Sequence, residues 1–308
     1  MNSQRCIDIE RVMPASHLPR KRQNAWGWVA VAVAACFCMT ANARAQEAQR
    51  LVGIDYDSGD VYEISTSDAS LSMVGSTGLS QVGAFELTSA GLLAFTTSGD
   101  GQPTLYNLNP VTFEPMSIGP LSQQIIFDGS IVEAGDGTLY GTNRGSVAAA
   151  QLFELDPDTG ATSLVGFISV DGDTRHDVNG MAYRGDGMLI GLDRVSQSLL
   201  EINTATAEAT VLTNLTPDLG SVGGMAVLDG VGYFVTAGPD ATVPGSNELY
   251  RFDLFTGQYE SLGNFNGTIS GTGLSGLAVV PEPTTALLLM AAVPAMLNRR
   301  RKRASSVS

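Results

Sequence analysis

The chain has 308 residues, enough for one large or two small domains, and its 31 Asp and Glu outnumber its 17 Lys and Arg. The imbalance is concentrated in residues 46–280, which carry six Arg, no Lys and 28 acidic residues, a net charge of −22. Such a body repels phosphate backbones, so no nucleic acid is expected among its partners. All three Cys lie within residues 1–45, which excludes disulfides and thiolate nucleophiles from the remainder of the chain.

Residues 1–45 are predicted to be a secretory signal peptide. A basic cluster at 20–22 precedes an apolar run at 26–40, and Ala43 and Ala45 form a small-x-small cleavage site. The apolar run of about 15 residues is short for a membrane span. An alternative remains open within this segment, because residues 33–36 resemble a bacterial lipobox, which would lipidate Cys36.

The next part of the chain repeats a unit of four short strands, seen most clearly in residues 178–212. Strands of about five residues alternate there with turn formers, the pattern of an all-β meander. An apolar-aromatic strand core recurs with spacings of 44, 47, 47 and 50, at residues 61–64, 105–108, 152–155, 199–202 and 249–252. A Gly-containing first strand recurs with it, at residues 83–85, 129–131, 180–182, 224–226 and 276–278.

A period of roughly 40–50 residues with four strands per unit is typical of a β-propeller blade. The alternative is a β-sandwich with coincidental spacing. The first copy begins with its second strand, at 51–55, whereas a spare first strand ends the repeats at 274–280. We therefore predict that residues 46–280 form an all-β propeller of five four-stranded blades. The C-terminal strand would pair with the N-terminal blade, and this closure would remove the open sheet edges.

The C-terminal segment, residues 281–303, combines three features and is followed by a short tail at 304–308. Prolines end the last strand, and an apolar run at 284–298 is predicted to form a hydrophobic anchor helix. The basic cluster behind it is expected to stay on the cytoplasmic side of a membrane. This arrangement resembles the PEP-CTERM sorting signal of exported bacterial proteins, carried by Pro281, Glu282 and Pro283 and by Arg299, Arg300 and Arg301.

The resemblance implies recognition by an exosortase, a membrane-bound transpeptidase-like enzyme. It also implies processing near the Pro-Glu-Pro motif and delivery to the cell surface, the outer envelope or an exopolysaccharide matrix of a bacterium. The alternative is a plain C-terminal membrane anchor. The segment indicates where the protein goes and does not indicate what it binds.

Calcium is the cofactor that the residue pattern favours, because hard cations prefer clustered carboxylate and carbonyl oxygens. Asp171, Asp173 and Asp177 are the candidate metal ligands, and further acidic turns lie at 55–60 and 156–160. None of these turns completes an EF-hand loop, and Asp and Gly are also ordinary turn residues. The turns at 156–160 and 253–257 are predicted to be hairpins between third and fourth strands.

Residues for catalysis are scarce. His176 is the single histidine after residue 45, and we expect it to be a solvated loop residue because the segment 169–177 around it is polar. No nucleophile motif accompanies it. Two functions stay open: a non-enzymatic module that binds a glycan or matrix protein, and a calcium-dependent hydrolase or lyase acting on extracellular polysaccharide at one mouth of the ring. The lack of His and Lys favours the first. Carboxylates from three or more blades converging on the central channel would favour the second.

Overall fold

A computed structural model describes residues 49–97, 102–122, 129–144, 149–216, 219–237, 247–265, 269 and 273–282. Every regular element in these ranges is a β-strand. No helix in the described ranges is long and apolar enough to cross a membrane. The predicted signal peptide, the apolar run at 284–298 and the basic cluster lie outside the described residues.

The strands form five antiparallel sheets of four, which are the blades of a β-propeller. Blade 1 is made of β1 (Gln49–Asp55), β2 (Asp60–Ile64) and β3 (Leu71–Ser76) together with β21 (Leu274–Pro281). Blade 2 is made of β4 (Val82–Thr88), β5 (Gly91–Thr96), β6 (Thr104–Leu108) and β7 (Pro115–Pro120). Blade 3 is made of β8 (Ser130–Glu133), β9 (Leu139–Arg144), β10 (Ala150–Leu155) and β11 (Thr162–Phe167).

Blade 4 is made of β13 (Val178–Tyr183), β14 (Met188–Asp193), β15 (Ser198–Asn203) and β16 (Glu208–Asn214). The two-residue strand β12 (Ser169–Val170) adds to it by pairing in parallel with β16. Blade 5 is made of β17 (Ser221–Leu228), β18 (Val231–Ala237), β19 (Glu248–Phe252) and β20 (Tyr259–Asn264). The prediction of a five-bladed all-β propeller is confirmed.

The ring closes where β21 pairs antiparallel with β1. The register places Gln49 opposite Pro281, Val52 opposite Ala278 and Gly53 opposite Leu277. The first strands of the blades, here called the inner strands, contact one another in the order β21, β4, β8, β13, β17 and back to β21. The C-terminal strand therefore completes the N-terminal blade, as the spare first strand predicts.

In blades 2 and 3, the strand pairing shifts the inner strand by one residue from the position that its recurring glycine predicts. Leu277, Ile131 and Met181 occupy the same position, because they pair with Gly53, Gly141 and Gly191, which are equivalent in the second strands. The residue that corresponds to Gly180 is therefore Ser130, not Gly129, and the same shift applies in blade 2. Blades 2 and 4 have the same register irregularity, in which Gly83 and Asn179 are the extra residues. The glycine is the extra residue itself in blade 2 but follows the extra residue in blade 4, so counting from glycine misaligns the two strands.

The core consists of five apolar clusters, each lying between two neighbouring blades. The cluster between blades 3 and 4, for example, joins Leu152 and Tyr140 to Met181 and Leu189. Both faces of every blade are therefore buried against a neighbour. The predicted hairpins at 156–160 and 253–257 are also present, each with a backbone hydrogen bond from its terminal glycine to its first aspartate.

The topology gives the ring two distinct faces. Because the strands within a blade are antiparallel, loops from a second to a third strand and from a fourth strand to the next blade share one face, here called the upper face. Hairpins between first and second and between third and fourth strands lie on the opposite, lower face. Gln49 begins a second strand and Pro281 ends a first strand, so the two residues at which the ring begins and ends lie side by side on the lower face.

Candidate functional site

The predicted calcium ligands are not gathered into one site. Asp173 accepts hydrogen bonds from the Nε and a terminal nitrogen of Arg175 at 3.0 and 2.7 Å, and these bonds lower the pKa of the Asp173 carboxyl. Asp177 is buried and forms an ion pair with Arg194 at 2.7 Å. In the ranges that the structure covers, no group of three or more His, Cys, Asp or Glu side chains is placed to hold a metal ion. Calcium binding at Asp171, Asp173 and Asp177 stays a prediction.

His176 is buried, so the expectation of a solvated loop residue is wrong. Only 6% of its surface is exposed. Its Nδ1 lies 2.7 Å from a carboxylate oxygen of Asp193, at the end of β14, and its Nε2 lies 3.1 Å from the carbonyl oxygen of Asp173. Asp193 also accepts hydrogen bonds from the backbone N–H groups of Asp177 and Ser196. Burial opposes ionisation of Asp193, but hydrogen bonds from His176 and Ser196 hold its pKa below the usual value.

The predicted sorting motif begins where the ring ends. Pro281 is the last residue of β21, and both Pro281 and Glu282 are exposed on the lower face. Pro283 and the basic residues Arg299, Arg300 and Arg301 lie outside the described residues, as do Ala43 and Ala45 of the predicted cleavage site.

A pocket of about 170 Å³ lies where the inner strands meet, towards the lower face, and it is here called the axial pocket. It is lined by Glu86, Val132, Glu133, Ala182, Tyr183 and Ala226, among others. The backbone N–H of Ser89 donates to Glu133 at 2.7 Å, and the Ser89 hydroxyl also bonds to this carboxylate. Burial raises the pKa of Glu86 well above its usual value, and the charge of Glu133 adds to the shift. Carboxylates from two adjacent blades, not three, thus meet in the described part of the channel.

We expect Glu86→Gln to stabilise the protein at high pH and to leave it nearly unchanged at low pH. A carboxyl with a raised folded-state pKa costs no stability below its unfolded pKa, about 4.3, and costs progressively more as pH rises towards the folded-state pKa. The neutral amide avoids this cost. Denaturant unfolding should show a gain of roughly 1 kcal/mol or more at pH 8 and little change at pH 4. The exposed Glu154→Gln is the matched control, and a loss of stability at pH 8 in Glu86→Gln would contradict the argument.

A second pocket, here called the upper pocket, opens on the upper face of blade 2 and has a volume of about 290 Å³. It lies between the loop that enters β4 and the strands β5 and β6. Its polar side chains are Ser80, Gln81, Thr96, Thr97, Gln102 and Thr104, and Tyr106 completes it. None of the described residues that line it is charged.

The largest of these pockets, about 450 Å³, lies at the lower edge of blade 5. Its lining includes Arg251 and Glu260, which form an ion pair with each other, and Tyr259, whose hydroxyl donates to the carbonyl oxygen of Thr216 at 3.0 Å. Its polar groups are therefore largely engaged within the protein.

Two solved structures are similar to this chain at low sequence identity. A chain of a nidogen–laminin complex superimposes with a TM-score of 0.47 and 9% identity, covering 76% of this chain and 98% of that one. A periplasmic gluconolactonase of Pseudomonas aeruginosa superimposes with a TM-score of 0.42 and 12% identity, covering 76% and 99%. Similarity at this level gives no information on what this protein binds or does. No family model and no curated protein matches the chain.

Proposed function

We propose that the protein is an exported, non-enzymatic binding module, displayed on a bacterial surface or in an extracellular matrix through a PEP-CTERM signal. The observation that carries the proposal is the position of the chain ends. Gln49 and Pro281 pair on the lower face, next to the sorting motif, whereas the upper pocket opens on the opposite face. A ring attached through its C-terminal segment would present the upper pocket away from the attachment point.

The titratable groups support binding over hydrolysis. A general base must reach a proton on the substrate or on a nucleophile, yet both ring nitrogens of His176 are engaged by Asp193 and by a backbone carbonyl. In the axial pocket, the Glu133 carboxylate accepts hydrogen bonds from the backbone N–H and the hydroxyl of Ser89. The axial pocket, at about 170 Å³, is also smaller than the ~300 Å³ at which small-molecule sites usually begin.

The proposal is tested by producing the full chain in a bacterium that carries an exosortase. We expect a processed form in the matrix fraction that sediments with the isolated matrix polysaccharide, equally well in EDTA and in millimolar Ca²⁺, without releasing reducing ends. A chain with alanine at positions 281–283 should be exported but remain unprocessed and held in the membrane.

Two results would contradict these proposals separately. Calcium-dependent release of reducing ends would show that the protein is a polysaccharide hydrolase or lyase and not a non-enzymatic binding module. Normal processing and release of the alanine-substituted chain would replace exosortase sorting with a plain anchor.

A further inference from the structure

We propose that the upper pocket is a binding site for uncharged sugar residues of an extracellular polysaccharide. This inference rests on the proposed function and names the ligand class and the residues that would meet it. The pocket combines hydroxyl and amide groups with one aromatic ring, and its volume of about 290 Å³ is near the lower end for small-molecule sites.

Blade 2 is open at a place where the other blades are filled. Tyr106 of β6 is partly exposed. The residues at its equivalent position in the third strands of the other blades are buried, with at most 8% of their surface exposed: Tyr62, Phe153, Leu200 and Tyr250. The same holds at the end of the second strand, where Thr96 is partly exposed and its equivalents are buried: Asp55, Asn143, Asp193 and Thr236. The opening is therefore a property of blade 2 and not of the repeat.

The pocket is also neutral at a position where blade 4 is charged. A backbone hydrogen bond of 2.9 Å runs from Thr97 to Gln81 in blade 2, and an equivalent bond of 2.9 Å runs from Arg194 to Asp177 in blade 4. The side chains at these positions form an ion pair in blade 4 but a hydroxyl–amide contact of 3.4 Å in blade 2. In a body with a net charge of −22, a pocket whose described lining carries no charge disfavours anionic ligands.

The side chains that line the pocket offer both donors and acceptors. The Gln81 Oε1 accepts from Thr97, which leaves the amide nitrogen to donate, whereas the Gln102 amide nitrogen donates to the Leu121 carbonyl at 2.8 Å, which leaves Oε1 to accept. Thr97 is itself held by the hydroxyl of Tyr56 at 3.0 Å. Sugar hydroxyls can pair with both kinds of group, because each hydroxyl donates and accepts.

Tyr106 supplies the apolar part of the site. An aromatic ring that is partly exposed beside polar groups suits a ligand with one apolar and one polar surface. A pyranose ring has this character, because its C–H groups form one face while its hydroxyls project at the edge. Acidic sugars would lack a counter-charge in the pocket and would meet the negative field of the body.

The test is calorimetric titration of the full chain, purified in a detergent without a sugar headgroup. Cellohexaose and maltohexaose are the neutral probes, and hexagalacturonate is the acidic probe. We expect at least one neutral probe to bind and the acidic probe not to bind. Tyr106→Ala should weaken neutral binding by at least about tenfold, whereas Tyr106→Phe should retain it. Tyr183→Ala, which changes a partly exposed tyrosine on the axial pocket instead, is the matched control.

A second variant guards against misfolding of Tyr106→Ala. Ser80 is exposed at the pocket rim, so Ser80→Trp should fill the opening without disturbing the core, and it should abolish neutral binding. Unchanged binding in folded Ser80→Trp, or preferential binding of hexagalacturonate, would overturn the pocket proposal. If the matrix polysaccharide is still bound in that case, the binding-module function survives. If the unmodified chain binds neither the probes nor the matrix polysaccharide, the proposed function fails as well.

Discussion

A chain that stops at Gly273 is expected to lose the folded ring. The missing strand β21 contributes Leu274, Leu277 and Val280, none of which has measurable exposed surface. Each buried aliphatic side chain stabilises a fold by about 1.5–3 kcal/mol, so the combined loss approaches the 5–15 kcal/mol of a typical domain. Residues 46–273 should aggregate or melt far below residues 46–282 in a thermal unfolding experiment.

A disulfide across the closing seam tests the same pairing without deleting anything. Val52 and Ala278 are directly opposite in the register of β1 and β21, and opposite residues of antiparallel strands have Cβ atoms about 4.5–5.5 Å apart. Cysteines at these two positions in residues 46–282 should therefore crosslink on oxidation with little backbone movement. The chain has no cysteine beyond residue 45 to compete, so loss of the thiol that reacts with maleimide after denaturation reports the bond.

The matched control pairs Val52→Cys with Val279→Cys. These side chains point to opposite faces of the sheet, since Val52 belongs to the cluster between blades 1 and 2 and Val279 packs between blades 5 and 1. The control should stay reduced. The closed ring is refuted if residues 46–273 are as stable as residues 46–282 and the Val52–Ala278 pair does not crosslink.

Gly223→Ala should prevent or severely weaken folding. Gly223 lies on the inner strand β17, and an added Cβ would come within 2.1 Å of the backbone carbonyl oxygen of Leu274 on the neighbouring inner strand. A backbone atom held in the closing strand cannot move aside without opening the ring, so we expect a loss of more than about 3 kcal/mol. The measurement is denaturant unfolding, or the soluble yield if the variant does not fold.

The same substitution at Gly166 is the control. Gly166 lies in β11, at the outside of blade 3, and an added Cβ would meet its nearest neighbour, the carbonyl oxygen of Thr206, at 3.1 Å. A small local adjustment should relieve this contact. Alanine also restricts the unfolded chain more than glycine does, which stabilises the folded protein by about 0.4–1 kcal/mol. A Gly223→Ala protein as stable as Gly166→Ala would show that β17 and β21 are not in such close backbone contact.

The difference between these two glycines is invisible in the sequence. Both follow a valine, Val222 and Val165, within an apolar stretch of the chain. Only the tertiary structure shows that Gly223 faces the backbone of a strand 51 residues away while Gly166 faces a turn near the rim.

Glu86 and His176 show two reasons why the surroundings of these residues could not be predicted from the sequence. Glu86 occupies a position where blades 3, 4 and 5 have Val132, Ala182 and Ala226, and its departure from the pattern emerges only after the one-residue correction of the inner strands. His176 was expected in solvent because its own loop is polar. Its partner Asp193 is 17 residues away, and only pairing of β13 with β14 brings the two together.

The upper pocket likewise could not be predicted from the sequence. Gln81 precedes β4, Thr97 follows β5 and Tyr106 lies in β6, and nothing in their local pattern marks them as neighbours. The opening becomes apparent only when the exposure of each side chain is compared with that of the equivalent positions in the other four blades.

The sequence by itself determined the repeat, the number of blades, the strand that closes the ring and the acidic character of the body. These properties depend on strand period, turn residues and composition, all of which are local along the chain. The tertiary structure alone decided which blade is open, which carboxylates meet at the axis and which aspartate is hydrogen-bonded to His176. Burial and electrostatics depend on distances between residues far apart in the chain, and those distances exist only once the blades have packed into a ring.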